Sequence, residues 1–201
     1  MEKKSPTFME RWQKIARRIR VPLGFVAAAI YLWQLVQHKP QPQPIAWSLL
    51  LVLPGLWLRS YAAGYVKKNS ELTMTGPYAH VRNPLYLGSM LMAAGFAVAL
   101  MSAPFAITLV VGFALIYIPV IASEERFLRD TFLEFEWYCA RVPRLIPRFT
   151  PARQAGVREQ EAGGFSLTLY RKHREYNSAI GAALLYGSLL LGILLHSLYG
   201  K

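Results

Sequence analysis

The chain has 201 residues, of which 54% are apolar and only 17% charged, with a mean hydropathy of +0.25 and a formal net charge of +12. The length suits one domain over residues 1–201, and so apolar a composition turns those residues toward lipid rather than toward a soluble core alone. The single cysteine, Cys139, excludes an internal disulfide.

Taken in chain order, the first feature is a basic lead containing Lys3, Lys4, Arg11, Lys14, Arg17, Arg18 and Arg20. It is too long for a cleaved signal peptide, and no small-x-small site follows the first apolar run. Five runs then approach the ~20 residues that cross a bilayer core: 21–36, 45–65, 85–102, 104–122 and 179–199. The first is short, and Pro54-Gly55 breaks the second. Such continuous runs predict helices, which satisfy their own backbone in lipid, and not the alternating ~10-residue strands of a barrel. The predicted fold is all-α: a polytopic membrane helix bundle of about five transmembrane helices plus interfacial helices. Gln41-Pro42-Gln43-Pro44 predicts a stiff turn, residues 150–164 a linker, and residues 165–176 a basic interfacial segment drawn to anionic lipid through Arg171, Lys172 and Arg174. Trp12, Trp33, Trp47, Trp57 and Trp137 fall mostly near span ends, as an aromatic belt does. Arg59 is expected to snorkel, and His196 to lie at an interface.

Five spans put alternate gaps on opposite sides. One side collects the N-terminal lysines and arginines, then Lys67, Lys68 and Arg82, and then every basic residue from Arg126 to Arg174; the other collects Lys39 and Lys201. The positive-inside rule makes the first side cytoplasmic and accounts for the net charge without nucleic acid. There is no internal repeat, no spacing that suggests a metal site, and no alternating strand–helix pattern with a glycine-rich turn, which excludes a Rossmann-type enzyme. The third and fourth spans carry no charge at their centres, which argues against a transporter. Nothing in the sequence speaks to oligomeric state.

Two polar motifs remain. The first runs from Thr75 to Gly88 and includes Tyr78, His80, Arg82, Asn83, Pro84 and Tyr86; the second is Ser123-Glu124-Glu125, followed by Phe132, Tyr138 and Val142-Pro143-Arg144-Leu145-Ile146-Pro147. The third and fourth spans are joined so tightly that they must form an antiparallel hairpin, which brings the two motifs to one end. Pro84 suits the first turn of a helix and Asn83 its N-cap. That start is either an ordinary cap with a snorkelling Arg82, or a group of free amides with a partial positive charge suited to a ligand carboxylate. Glu124 and Glu125 either end the fourth span against its dipole or lie within a helix that continues past Arg126, where Glu125 and Arg129 would pair at i,i+4. A carboxylate-binding helix start facing two glutamates fits a zwitterion with an ammonium and ribose hydroxyls, as in S-adenosylmethionine.

These motifs resemble the Arg-His-Pro-x-Tyr block and the second block of the isoprenylcysteine carboxyl methyltransferase family, which is related to phospholipid methyltransferases. The resemblance covers residues 70–149, with an additional C-terminal span at 179–199. It implies an integral-membrane methyltransferase that uses S-adenosylmethionine on a lipophilic acceptor, isoprenoid or lipid, with the cofactor site on the cytosolic side. It also implies that Leu72, Thr73, Tyr78, Asn83, Pro84, Tyr86 and Glu124 line the cofactor pocket, that Arg82 and Glu125 support it, and that Arg144 contacts substrate. Asn83 stands where the family commonly has His, and it cannot carry charge. Val120 stands where the isoprenylcysteine enzymes have an Arg attributed to substrate contact. Positioning supplies much of the rate in such an in-line transfer. Tyr78, Tyr86 and His80 become candidate bases only where the acceptor must lose a proton, and His80 otherwise reads as an exposed loop histidine. Phospholipid-type N-methylation and a non-catalytic scaffold of the same fold are the competing readings.

Overall fold

The computed structural model describes residues 26–37, 39–67, 71–152 and 164–199. The basic N-terminal lead, Trp12, the first five residues of the predicted first span, Lys68, residues 153–163 of the predicted linker and Lys201 lie outside them. Among the described residues the protein is all-helical. Its helices are α1 (Val26–Gln37), α2 (Pro42–Tyr65), α3 (Pro84–Leu100), α4 (Ala103–Thr131), α5 (Phe135–Arg141), α6 (Leu167–Lys172) and α7 (Tyr176–Tyr199), with a 3₁₀ turn at Gly76–Ala79. By length and apolar composition α2, α4 and α7 suffice to cross a membrane. α1 and α3 are shorter apolar helices, so the five expected spans become three long helices and two short ones.

Pro54 does not break α2, which runs unbroken through it. Losing one backbone donor is tolerable where neighbouring helices pack closely, and α3 does so. Ser48, Val52, Gly55, Arg59 and Ala62 recur every three or four residues on one face of α2, and Gly88 and Gly95 meet that face from α3. A Cβ on Gly88 would lie 2.7 Å from the Gly55 carbonyl oxygen, and one on Gly95 2.4 Å from a Val52 methyl. Small residues therefore bring the two backbones together, as is common between membrane helices. The main core joins the helices around this pair through Tyr31, Ile45, Val52, Phe96, Phe105 and Leu189.

α3 ends on Met101 in the left-handed region (φ 49°), and Ser102 caps α4 by accepting from the Phe105 amide at 3.3 Å. The predicted hairpin forms, and Tyr86 at the start of α3 meets Tyr117 of α4 edge-on at 5.2 Å. α4 does not stop at Ala122. Its 29 residues make about 43 Å, well beyond a hydrocarbon core of about 30 Å. Glu124 and Glu125 are thus mid-helix residues near the membrane edge, and the dipole cost of a helix end does not arise. A separate cluster of Phe135, Tyr138 and Val142, packed with Leu72, Met74 and Leu128, closes that end of the bundle.

Candidate active site

The loop between α2 and α3 is shaped from both sides. Gly76 adopts φ +57°, where a side chain would be strained, and a Cβ on it would lie 2.6 Å from the Tyr65 ring. The segment after α5 runs alongside the loop. Arg82 N–H donates to the Pro143 carbonyl at 2.9 Å, Arg148 N–H to that of His80 at 3.0 Å, and Ala152 N–H to that of Ala79 at 2.9 Å. Tyr138 donates its hydroxyl to the Tyr78 carbonyl at 2.7 Å. His80 is half-buried and not an exposed loop residue: its Nδ1 lies 2.9 Å from the Arg148 carbonyl.

Behind this strap lies a cavity of about 450 Å³, within the range of small-molecule sites. Leu72, Thr73, Tyr78, Arg82, Asn83, Pro84, Tyr86, Glu124 and Glu125 all line it. Arg144, expected to contact substrate, does not. It grips Glu125 from outside, with Nε donating to Oε1 at 3.0 Å and a terminal nitrogen donating to Oε2. Arg82 reaches the same carboxylate from the other side at 3.3 Å, and Arg129 pairs with Glu136, so the i,i+4 pair of Glu125 with Arg129 does not form. Tyr86 donates to Glu124 Oε1 at 2.8 Å, a hydrogen bond that joins the two sequence motifs across the α3–α4 hairpin. Pro84 takes the first turn of α3 as predicted, but Asn83 makes no side-chain cap and instead donates to the Arg144 carbonyl at 3.2 Å. Arg82 Nε is buried without a hydrogen-bond partner, an unmet donor on a cavity-lining residue.

The far wall was not legible. Arg59 does not snorkel: it lines the cavity and pairs with Glu175 at 2.5 Å, while also donating to Ser178 at 3.2 Å, to the Leu85 carbonyl at 3.2 Å and to Ser89. His173 and Glu175, from the segment predicted to lie on lipid, line the cavity as well. A lone carboxylate closing the run Arg171-Lys172-His173-Arg174-Glu175 immediately before a span was the available signal. Burial, reinforced by the Glu124 and Glu175 carboxylates, pushes the Tyr78 phenol well above its ordinary value, and burial does the same to Tyr138. Both phenols therefore stay neutral hydrogen-bonding groups at physiological pH. Among the described residues no three His, Cys, Asp or Glu side chains gather as a metal site.

The site fits a zwitterionic cofactor in chemical terms. Carboxylates and phenols suit an ammonium and hydroxyls, and the α3 start with the Arg82 guanidinium beside it suits a carboxylate. Residues 46–134, which include every cavity residue expected from the sequence, match phospholipid methyltransferases. The nickel-cobalt-cadmium resistance protein NccN of Alcaligenes xylosoxydans xylosoxydans is 35% identical over 114 residues, 57% of this chain and 53% of that protein. The cobalt-zinc-cadmium resistance protein CzcN of Cupriavidus metallidurans is 38% identical over 101 residues, 50% of this chain and 46% of that protein. The chain thus spans about half the length of the curated relatives it matches. No solved structure matches it.

Proposed function

The segment 46–134 belongs to the phospholipid methyltransferase family, and from that premise we propose that this integral membrane protein is an S-adenosylmethionine-dependent methyltransferase acting on a lipophilic acceptor at the cytoplasmic membrane edge. The observation that carries the reading is the convergence of Leu72, Thr73, Tyr78, Asn83, Tyr86 and Glu124 on one cavity at the end of the α3–α4 hairpin. Bound there, S-adenosylmethionine would supply an electrophilic methyl group on a sulfonium. Glu124, oriented by Tyr86, accepts hydrogen bonds from the ligand's ammonium or ribose. Arg82 and the amides that open α3 take its carboxylate. Glu125 holds Arg82 in place.

Val120, which stands where the isoprenylcysteine enzymes have an Arg, is buried with Ile116 against Tyr86 and Tyr117, so that arginine's contact with a prenylated cysteine's carboxylate has no counterpart at this position. This supports a lipid or isoprenoid acceptor without an obligatory carboxylate over the isoprenylcysteine substrate. The relatives are named for metal resistance, and no metal site is carried over to this chain from those names.

Calorimetry of the purified protein in detergent tests the reading. Wild type should bind S-adenosylmethionine, and Glu124→Ala should lose about 1.5–3 kcal/mol of that affinity while remaining folded. Unchanged affinity would remove Glu124 from the cofactor site. Incubating membranes with labelled S-adenosylmethionine and identifying the labelled lipid then names the acceptor; efficient methyl-ester formation on a farnesylated cysteine analogue alone would restore the namesake activity.

A further inference from the structure

The sequence assigns residues 165–176 to a lipid surface, but the fold turns them inward. Ser166 N–H donates to the Gly64 carbonyl at 2.8 Å, His173 Nδ1 lies 3.0 Å from the Ala63 carbonyl, and Glu175 pairs with Arg59. The mixture of cations and apolar side chains that a membrane surface attracts stands elsewhere at this end of the bundle, on the strap that follows α5. From Trp137 to Arg158 the chain contains no Asp or Glu, and Arg141, Arg144 and Arg148 are interspersed there with Ile146 and Phe149.

The backbone of the strap is fixed, so what it presents is preset. Pro143, Pro147 and Pro151 recur every fourth residue and remove donors that a helix would need. The strap lies alongside residues 79–83 instead. Arg82 N–H and the Asn83 side chain donate to the Pro143 and Arg144 carbonyls, and the Arg148 and Ala152 amides donate to those of His80 and Ala79. Between these anchors Ile146 is 80% exposed and Phe149 fully exposed. Asn83 immediately precedes the apolar α3, and Arg144 grips Glu125 near the membrane edge. The strap therefore lies at the level of lipid headgroups.

Its charge is also left over. Arg141 stacks over the Trp137 ring at 4.4 Å, and Arg148 donates to the Arg141 carbonyl at 2.7 Å and to Thr150 at 3.2 Å. Neither forms an ion pair with a carboxylate among the described residues. We propose that residues 141–150 dock on the anionic phospholipid headgroups of the leaflet at the cavity end. Arg141 and Arg148 meet the phosphates, and Ile146 and Phe149 enter the apolar layer beneath them. Long basic side chains reach a headgroup while their apolar neighbours sit deeper, and the sign of the charge selects anionic lipid. Arg144, between the two, stays on Glu125, so a seated strap braces the cavity wall that Glu125 and Arg82 form. None of this depends on what the cavity binds.

The test uses the full chain carrying Cys139→Ser and Phe149→Cys, labelled at residue 149 with nitrobenzoxadiazole. The serine hydroxyl keeps an acceptor for Arg82, which donates to the Cys139 sulfur. The protein is reconstituted in nanodiscs of phosphatidylcholine alone, or of equal parts phosphatidylcholine and phosphatidylglycerol. Acrylamide, an uncharged aqueous quencher, should reach the dye severalfold less in the anionic discs, and the dye's emission should shift to the blue there. Adding Arg141→Gln should weaken seating about fivefold, the worth of one basic residue at such a surface, and added salt should weaken it too. Ile146→Cys, labelled in the same way, repeats the measurement from the other apolar side chain and carries it where the first variant is unstable. Equal quenching in the two kinds of disc, or a difference that Arg141→Gln leaves unchanged, overturns the proposal. Inorganic phosphate that shields the dye equally well in phosphatidylcholine discs also overturns it, by making the strap a free-anion site and not a membrane contact.

Discussion

Glu125 sits at 5% exposure between two arginines of unequal burial: 14% of the Arg82 side chain is exposed and 50% of Arg144. Removing the shared carboxylate strands a buried guanidinium, whereas removing Arg144 leaves Glu125 paired with Arg82. Glu125→Ala should therefore cost about 3–5 kcal/mol, and Arg144→Ala about 1 kcal/mol or less, as for a solvent-screened partner. Denaturation in detergent ranks the two, and the reverse order would remove Glu125 from the centre of the network. The phenols give a second prediction. Because the folded state holds the Tyr78 and Tyr138 protons more tightly than the unfolded chain does, their contribution is fully present below the ordinary tyrosine pKa of about 10 and is lost as pH rises above it. Stability should fall above that pH, and Tyr78→Phe should flatten the fall; an equally steep decline in the variant would point to other groups.

The helices place the site through close contacts rather than through long apolar side chains. A Cβ on Gly64 would lie 2.2 Å from the Phe165 ring, so Gly64→Ala should push α6 off α2 and take His173 from the Ala63 carbonyl. Trypsin should then cut faster at Arg171, Lys172 or Arg174 than in wild type; unchanged cleavage would mean the ring simply swings aside. The same contacts explain what the sequence did and did not disclose. Apolar length marked the long helices, and the short link at Ala103 brought the two polar motifs to one end. Glycines on one face of α2 and α3 carry no mark of their partner, so that pairing stayed hidden. Arg59 in an apolar run reads as snorkelling until Glu175, 116 residues away, is seen beside it. The continuation of α4 to Thr131 was open because Arg126–Thr131 suits either a helix or a boundary, and packing of Leu128 against the Phe135 cluster decides it.

At the scale of the molecule, Leu50, Leu53, Trp57, Ile107, Val110, Ile118, Leu184 and Leu191 are exposed on the long helices, the surface expected of helices that meet lipid. The cavity opens at one end of these helices, and that end gathers Arg82, Arg126, Arg129, Arg141, Arg144, Arg148, Arg171, Lys172 and Arg174, against Lys39 at the start of α2. α7 leaves from this basic end, since Glu175 immediately before it is paired with Arg59 beside the cavity. Its 24 residues make about 36 Å, enough to carry Tyr199 across a core of about 30 Å. The positive-inside rule expects the basic end in the cytoplasm, which predicts that a fusion after α7 lies outside. An alkaline phosphatase fused after Lys201 should be active and a green fluorescent protein fused there dark. The opposite pair of results would put both ends of α7 on one side, and the Arg59–Glu175 anchor would then have to hold a helix that lies along the membrane instead of crossing it.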